Sequence, residues 1–135
     1  VSLHAADDAL RDTLVPLNRR HPLAELMDAV RAYIEATNRR VTFEYALMEG
    51  INDDVQQAAG VVRLLAGLLA HVNLIPVNPS AGSAYGPTAR ERVDAFAEVI
   101  RQRGIPCTVR LRRGLDVEAG CGQLRSRRLG ASAEV

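Results

Sequence analysis

The sequence predicts an α/β domain with parallel strands and covering helices. Short runs of β-branched and apolar residues occur at 41–48, 72–77 and 105–111, and the chain opens on another, Val1-Ser2-Leu3-His4-Ala5. Between the runs lie segments with helical apolar spacing, each about 15 residues long. Strands alternating with helices of that length imply βαβ units and a parallel sheet covered on one side or both. A chain of 135 residues, 47% of them hydrophobic, suits one core rather than two domains.

The opening run reads as a strand entered midway, and 6–20 reads as a polar loop. Pro22 then opens a helix whose apolar residues are Leu23, Leu26, Met27, Val30, Tyr33 and Ile34. Val41 to Met48 is the second strand. Asn52-Asp53-Asp54 can cap a second helix with Val61, Val62, Leu65, Leu68 and Leu69 on its apolar face. Val72 to Val77 is the third strand, with Pro76 at its end because proline cannot donate to a ladder. A loop rich in Pro, Gly and Ser covers 78–87. Thr88 is the expected cap of a third helix that buries Val93, Phe96, Ala97, Val99 and Ile100 and stops at Gly104. Ile105 to Leu111 is the fourth strand. An unpaired edge on the first strand would need a partner, either the rest of a longer polypeptide or a second copy in a homodimer.

The net charge of +1 neither demands nor excludes nucleic acid. Six arginines, Arg110, Arg112, Arg113, Arg125, Arg127 and Arg128, cluster late and could meet phosphate. No apolar run is long enough for a membrane span and no signal peptide is visible, so a cytoplasmic location without membrane association is expected. The two cysteines, Cys107 and Cys121, fit neither a disulfide scaffold nor a zinc or redox pair, and no metal ligands are expected in this chain.

In parallel α/β architectures ligands gather beyond the carboxyl ends of strands. Ser2 and His4 end the first strand, Asn78 follows the third, and Cys121 follows the fourth. Gly120 and Gly122 flank Cys121, removing bulk on both sides, and Arg112, Arg113 or Arg125 could favour its thiolate. Cys107, within Ile105-Pro106-Cys107-Thr108-Val109, reads as a small core residue. Glu44, in the second strand, could bind a ligand or satisfy a neighbouring arginine.

Several blocks occur in a specific order: Val1-Ser2-Leu3-His4-Ala5, Leu10-Arg11-Asp12 with Val15-Pro16-Leu17-Asn18, Val41-Thr42-Phe43-Glu44-Tyr45, Gly50-Ile51-Asn52-Asp53, Asn73-Leu74-Ile75-Pro76-Val77-Asn78-Pro79, and Ala119-Gly120-Cys121-Gly122-Gln123-Leu124. In this order they resemble the radical S-adenosylmethionine (SAM) methyltransferases that modify adenine carbon 2 in 23S rRNA and tRNA. The resemblance covers 1–124. It implies the C-terminal half of a partial (β/α) radical-SAM barrel, with 125–135 a loose basic tail. It also implies SAM contacts at Ser2, Leu3, His4 and Asn78, and a catalytic Cys121 that becomes S-methylcysteine using one SAM. A second SAM, cleaved at a [4Fe-4S] cluster, would then yield the radical that activates that methyl group for addition to adenine. Adenine carbon 2 is an electron-poor amidine carbon that cannot simply take a methyl cation, and a radical route avoids that barrier.

The sequence departs from the family pattern in places. The three-cysteine Cys-x3-Cys-x2-Cys cluster motif is absent from a chain with two cysteines, so the cluster ligands and a resolving cysteine are expected in a missing N-terminal half. The chain alone is expected to be inactive. Val77 stands where the family usually has Trp, and Gly120 where it usually has Ala. A non-catalytic α/β domain binding RNA or protein, and an adenine carbon-8 methylase of the related resistance group, are the competing expectations.

Overall fold

The computed structural model describes residues 1–77 and 88–110. In chain order, these residues form α1 (Asp8–Leu14), a 3-10 turn (Pro16–Arg19), α2 (Leu23–Thr37), β1 (Val41–Leu47), α3 (Val55–Leu65), β2 (Ala70–Pro76), α4 (Arg90–Arg101) and β3 (Cys107–Val109). The sheet has the order β1-β2-β3. Both pairings are parallel, with Val41 opposite Ala70, Leu47 opposite Pro76, and Val72 opposite Cys107. This is the α/β, parallel-strand architecture expected, and Pro76 does end its strand.

One face of the sheet carries the core. Along β1 the buried residues alternate as Phe43, Tyr45 and Leu47, and β2 adds Val72 and Leu74. They form one cluster with Met27 and Val30 of α2, Val61 and Leu65 of α3, and Val93, Phe96 and Ile100 of α4. Burial of these side chains drives the sheet and helices together. The rings of Tyr45 and Phe96, 5.0 Å apart and tilted by 43°, join the sheet to α4. Thr42, Glu44 and Ala46 lie on the opposite face, outside that cluster.

Several sequence expectations need correction. The first strand reduces to one parallel bridge, Ser2 to Glu44, because the chain turns away at His4, where φ is +62°. The supposed loop at 6–20 contains α1, capped by Asp7, whose carboxylate accepts the Leu10 N–H at 2.8 Å, followed by the 3-10 turn. Asp54 caps α3, as expected, by accepting the Gln57 N–H at 2.8 Å. That helix stops at Leu65, however, and leaves Leu69 exposed, as Tyr33 is on α2. Thr88 does not cap α4: the N-cap is Ala89, and the Thr88 hydroxyl instead donates to Asp53 Oδ2 at 3.0 Å. Gly104 does follow α4 with φ +81°, a conformation that glycine adopts without a Cβ penalty. No helix among the described residues is long and apolar enough to cross a membrane.

Candidate functional site

The segment Ser2–His4 runs beside β1 as a ladder and then departs from it. Glu44 N–H donates to Val1 O at 2.7 Å and Leu3 N–H donates to Glu44 O at 2.9 Å. A continued parallel ladder would next send Ala46 N–H to Leu3 O. That bond is replaced by one from Ala46 N–H to the imidazole Nδ1 of His4, at 3.0 Å. The displaced carbonyl of Leu3 accepts from Ala5 N–H at 2.8 Å, closing a three-residue turn around His4. A non-glycine residue at positive φ persists only where its surroundings over-determine it.

Arg11 supplies much of that determination. Its side chain is buried, with Nε donating to Leu3 O at 2.9 Å, Nη2 to Ser2 O at 2.8 Å and Nη1 to Asn18 Oδ1 at 2.7 Å. Asn18 is itself held: Nδ2 donates to Asp12 Oδ1 at 2.7 Å and Asp8 Oδ1 at 3.0 Å. Asp8 Oδ1 also accepts the Leu23 N–H at 2.9 Å, and that backbone bond, followed by the one from Asn18, holds its carboxyl below the ordinary range. The 3-10 turn and α1 thus clamp the backbone of Ser2 and Leu3.

Asn52 clamps the other side. It is fully buried; Nδ2 donates to His4 O at 2.8 Å and Ala46 O at 2.7 Å, while Oδ1 accepts from Met48 N–H at 2.8 Å. The buried hydroxyl of Tyr45 donates to Asn52 O at 2.8 Å. Asp53 accepts from Gly50 N–H at 3.2 Å as well as from Thr88, and so joins the loop after β1 to the start of α4. The carboxyl end of β1 and the loop after it therefore form a hydrogen-bonded platform around His4.

The imidazole of His4 is half-buried, and its pKa is lowered first by desolvation and then by the positive Arg11, while Glu44 opposes this. As the acceptor of a backbone N–H, Nδ1 is unprotonated, which leaves the proton of the neutral ring on Nε2. Among the described residues Nε2 has no hydrogen-bond partner, so the ring offers a donor at the strand end.

A polar row crosses the other sheet face in register: Ser2, Glu44, Asn73 and Thr108. Asn73 Nδ2 donates to both Glu44 carboxylate oxygens, at 3.2 and 3.3 Å, and Thr108 Oγ1 donates to Asn73 Oδ1 at 3.1 Å. Arg110 Nη2 lies 3.9 Å from Glu44 and is largely exposed. Asn73 is therefore the closer partner of Glu44, and the arginine adds a weak, solvent-screened attraction.

Of the residues expected from the sequence to form a site, Ser2, Leu3 and His4 are brought together at the end of β1. Asn78, Cys121 and the tail at 125–135 lie outside the described residues. Cys107 is buried in β3 as expected, and burial pushes its thiol up to about 11. Sequence reasoning missed Arg11, Asn18 and Asn52 as the groups that hold the site. Arg11 and Asn18 lie on different elements, α1 and the 3-10 turn, so no helical spacing in the sequence marked them as a pair.

No protein-family model matches the chain. It is 52% identical, over 94% of its length, to the "Probable dual-specificity RNA methyltransferase RlmN" of Chloroflexus aurantiacus. It is 55% identical, over 92%, to the "Dual-specificity RNA methyltransferase RlmN" of Sorangium cellulosum. A crystal structure of a radical SAM methyltransferase from Sphaerobacter thermophilus superposes with a TM-score of 0.87 at 54% identity, covering 91% of this chain and 36% of that one. Over nearly its whole length the chain matches a part of these methyltransferases. The chain spans about a third of the length of the curated relatives it matches, 35% and 32% for the two named. A domain of a pyruvate-formate lyase-activating enzyme from Bacteroides vulgatus shares its fold at 18% identity, with a TM-score of 0.64.

Proposed function

We propose that this chain is the C-terminal part of an RNA methyltransferase that uses SAM to methylate carbon 2 of adenine in 23S rRNA and tRNA. The observation that carries the reading is 52–55% identity, over more than nine-tenths of the chain, with proteins named dual-specificity RNA methyltransferases. In this reading the protein works in the cytoplasm, and its partners are the two RNAs and the N-terminal half of the same polypeptide. The sheet edge beside Val1–Leu3 faces the strands of that half; in the isolated chain the same edge would favour a homodimer.

Ser2, Leu3, His4 and Asn78 are the residues assigned to hold SAM. The strand-end platform suits such a ligand, because the Nε2–H of His4 can donate to a carboxylate, ribose or adenine acceptor, and the clamped backbone fixes where that donor lies. When bound, SAM supplies an electrophilic methyl group. Cys121, as thiolate, would be the acceptor of that methyl group, with its thiol proton already lost. Arg112, Arg113 or Arg125 would favour that proton's loss.

The [4Fe-4S] cluster of the family does not fit this chain. It needs three cysteine thiolates, whereas the chain has two cysteines and Cys107 is buried and held protonated. The cluster ligands therefore belong to the rest of the polypeptide, and the isolated chain is inactive in this reading.

Peptide mass spectrometry of the full-length protein, produced with SAM and iron available, tests the assignment. A methyl increment on Cys121 and loss of activity in Cys121→Ala are expected. An unmodified Cys121 in cluster-loaded, active protein would overturn it. Liquid chromatography with mass spectrometry of the digested RNA product, run against 2-methyladenosine and 8-methyladenosine standards, distinguishes carbon 2 from carbon 8.

A further inference from the structure

Arg11 neither ends the first strand nor sits beside the His4 ring in sequence, yet its guanidinium takes both carbonyl oxygens, of Ser2 and Leu3, that precede His4. With Leu3 O held by Arg11 and by Ala5 N–H, Ala46 N–H is left for His4 Nδ1. One exchange of hydrogen bonds thus fixes three things: the end of the ladder, the left-handed turn at His4 and the ring tautomer.

We propose that Arg11 is a positioning residue for SAM: by holding the carbonyls of Ser2 and Leu3 it directs His4 Nδ1 onto Ala46 N–H and presents the Nε2–H donor to the ligand. This rests on the reading that Ser2, Leu3 and His4 contact SAM. Arg11 is buried and touches these residues through their backbone, so it acts on the ligand through them. Its own anchorage is Asn18, which the carboxylates of Asp8 and Asp12 hold in turn. The side-chain charges that act on the His4 ring are Arg11 from α1 and Glu44 from β1. Removing Arg11 removes a positive charge that disfavours imidazolium, so the ring protonates at higher pH. A protonated ring has a hydrogen on Nδ1 and cannot accept from Ala46.

The test is equilibrium binding of radiolabelled SAM to the full-length, cluster-loaded protein across a pH series, for the wild type and for Arg11→Gln, Arg11→Lys, Asn18→Ala and His4→Ala. Partners that orient a ligating histidine cost roughly 10- to 100-fold in affinity when removed from metal sites, and a loss at the lower end, about tenfold, is expected for Arg11→Gln. Its acid limb, where affinity falls as pH drops, should also move to higher pH. Arg11→Lys, which keeps the charge but not the forked geometry, should weaken binding while leaving the acid limb in place, and Asn18→Ala should do the same. A role confined to folding would lower the active fraction without moving the limb. Wild-type affinity and an unmoved limb in folded Arg11→Gln would overturn the inference. Should that variant fail to fold, wild-type affinity in both Arg11→Lys and Asn18→Ala would do so. His4→Ala separates the two readings. If it binds SAM like the wild type, the SAM assignment fails; if it binds weakly while the Arg11 and Asn18 variants bind normally, only the role of Arg11 fails.

Discussion

The imidazole Nδ1 of His4 stands in for a backbone carbonyl, accepting the Ala46 N–H at 3.0 Å where the parallel ladder would otherwise continue. The bond exists only with the ring neutral, and burial together with Arg11 holds the His4 pKa below its ordinary value. Below the unfolded-state pKa, about 6.5, the unfolded chain binds the proton more readily than the folded one. The stabilisation is therefore complete above that pH and is lost as pH falls from there through the lower folded-state value. One such proton gives a slope of at most about 1.4 kcal/mol per pH unit. Denaturant unfolding of the wild type and of His4→Gln between roughly pH 5 and 8 should show the wild type losing its advantage on the acid side.

Asn52→Ala should be among the costlier single changes. It leaves Met48 N–H, His4 O and Ala46 O without their buried partner. An unsatisfied buried group costs about 1–3 kcal/mol, and three share this one side chain, so a loss of about 3 kcal/mol or more is expected. Thermal unfolding of the variant measures it.

Gly60 on α3 permits a close approach to Ala6, just past His4. A Cβ added at Gly60 would lie 2.6 Å from the Cβ of Ala6, a separation that real Cβ atoms essentially never show. Although alanine favours helix, Gly60→Ala should destabilise by about 1–3 kcal/mol through overpacking. It should also weaken SAM binding by displacing the segment that carries His4. A variant as stable as the wild type would show that the segment shifts freely.

Cys107 should resist alkylation in the folded protein. Burial is the main cause of its raised pKa, about 11, and Arg101 opposes it only in part. The thiolate is the reactive form, so at neutral pH little of it exists. Mass spectrometry after brief iodoacetamide treatment, native against denatured, should show Cys107 labelled only once unfolded.

The helical spacing of Leu23, Met27 and Val30, and the alternation of Phe43, Tyr45 and Leu47, were legible because one periodicity marks a buried helix face and another a buried strand face. The acidic Asp54 at the start of α3 and the terminal Pro76 of β2 were legible for local reasons, a capping oxygen and a missing N–H. The ordered blocks also pointed to Ser2, Leu3 and His4.

What the sequence by itself determined was therefore the α/β class, the order of most elements, and the family from which a site could be expected. Only the tertiary structure decided that 6–20 is a helical clamp and not a loop, that Thr88 serves Asp53 and not α4, and that the first strand ends in a turn at His4. The physical reason is the range of the bonds. Capping and periodicity act within a few residues, whereas Asn52 meets His4 across 48 positions and Thr88 meets Asp53 across 35. The partner of a buried polar group is chosen by which backbone atoms the packed core leaves unpaired, and that choice exists only after the sheet and helices have come together.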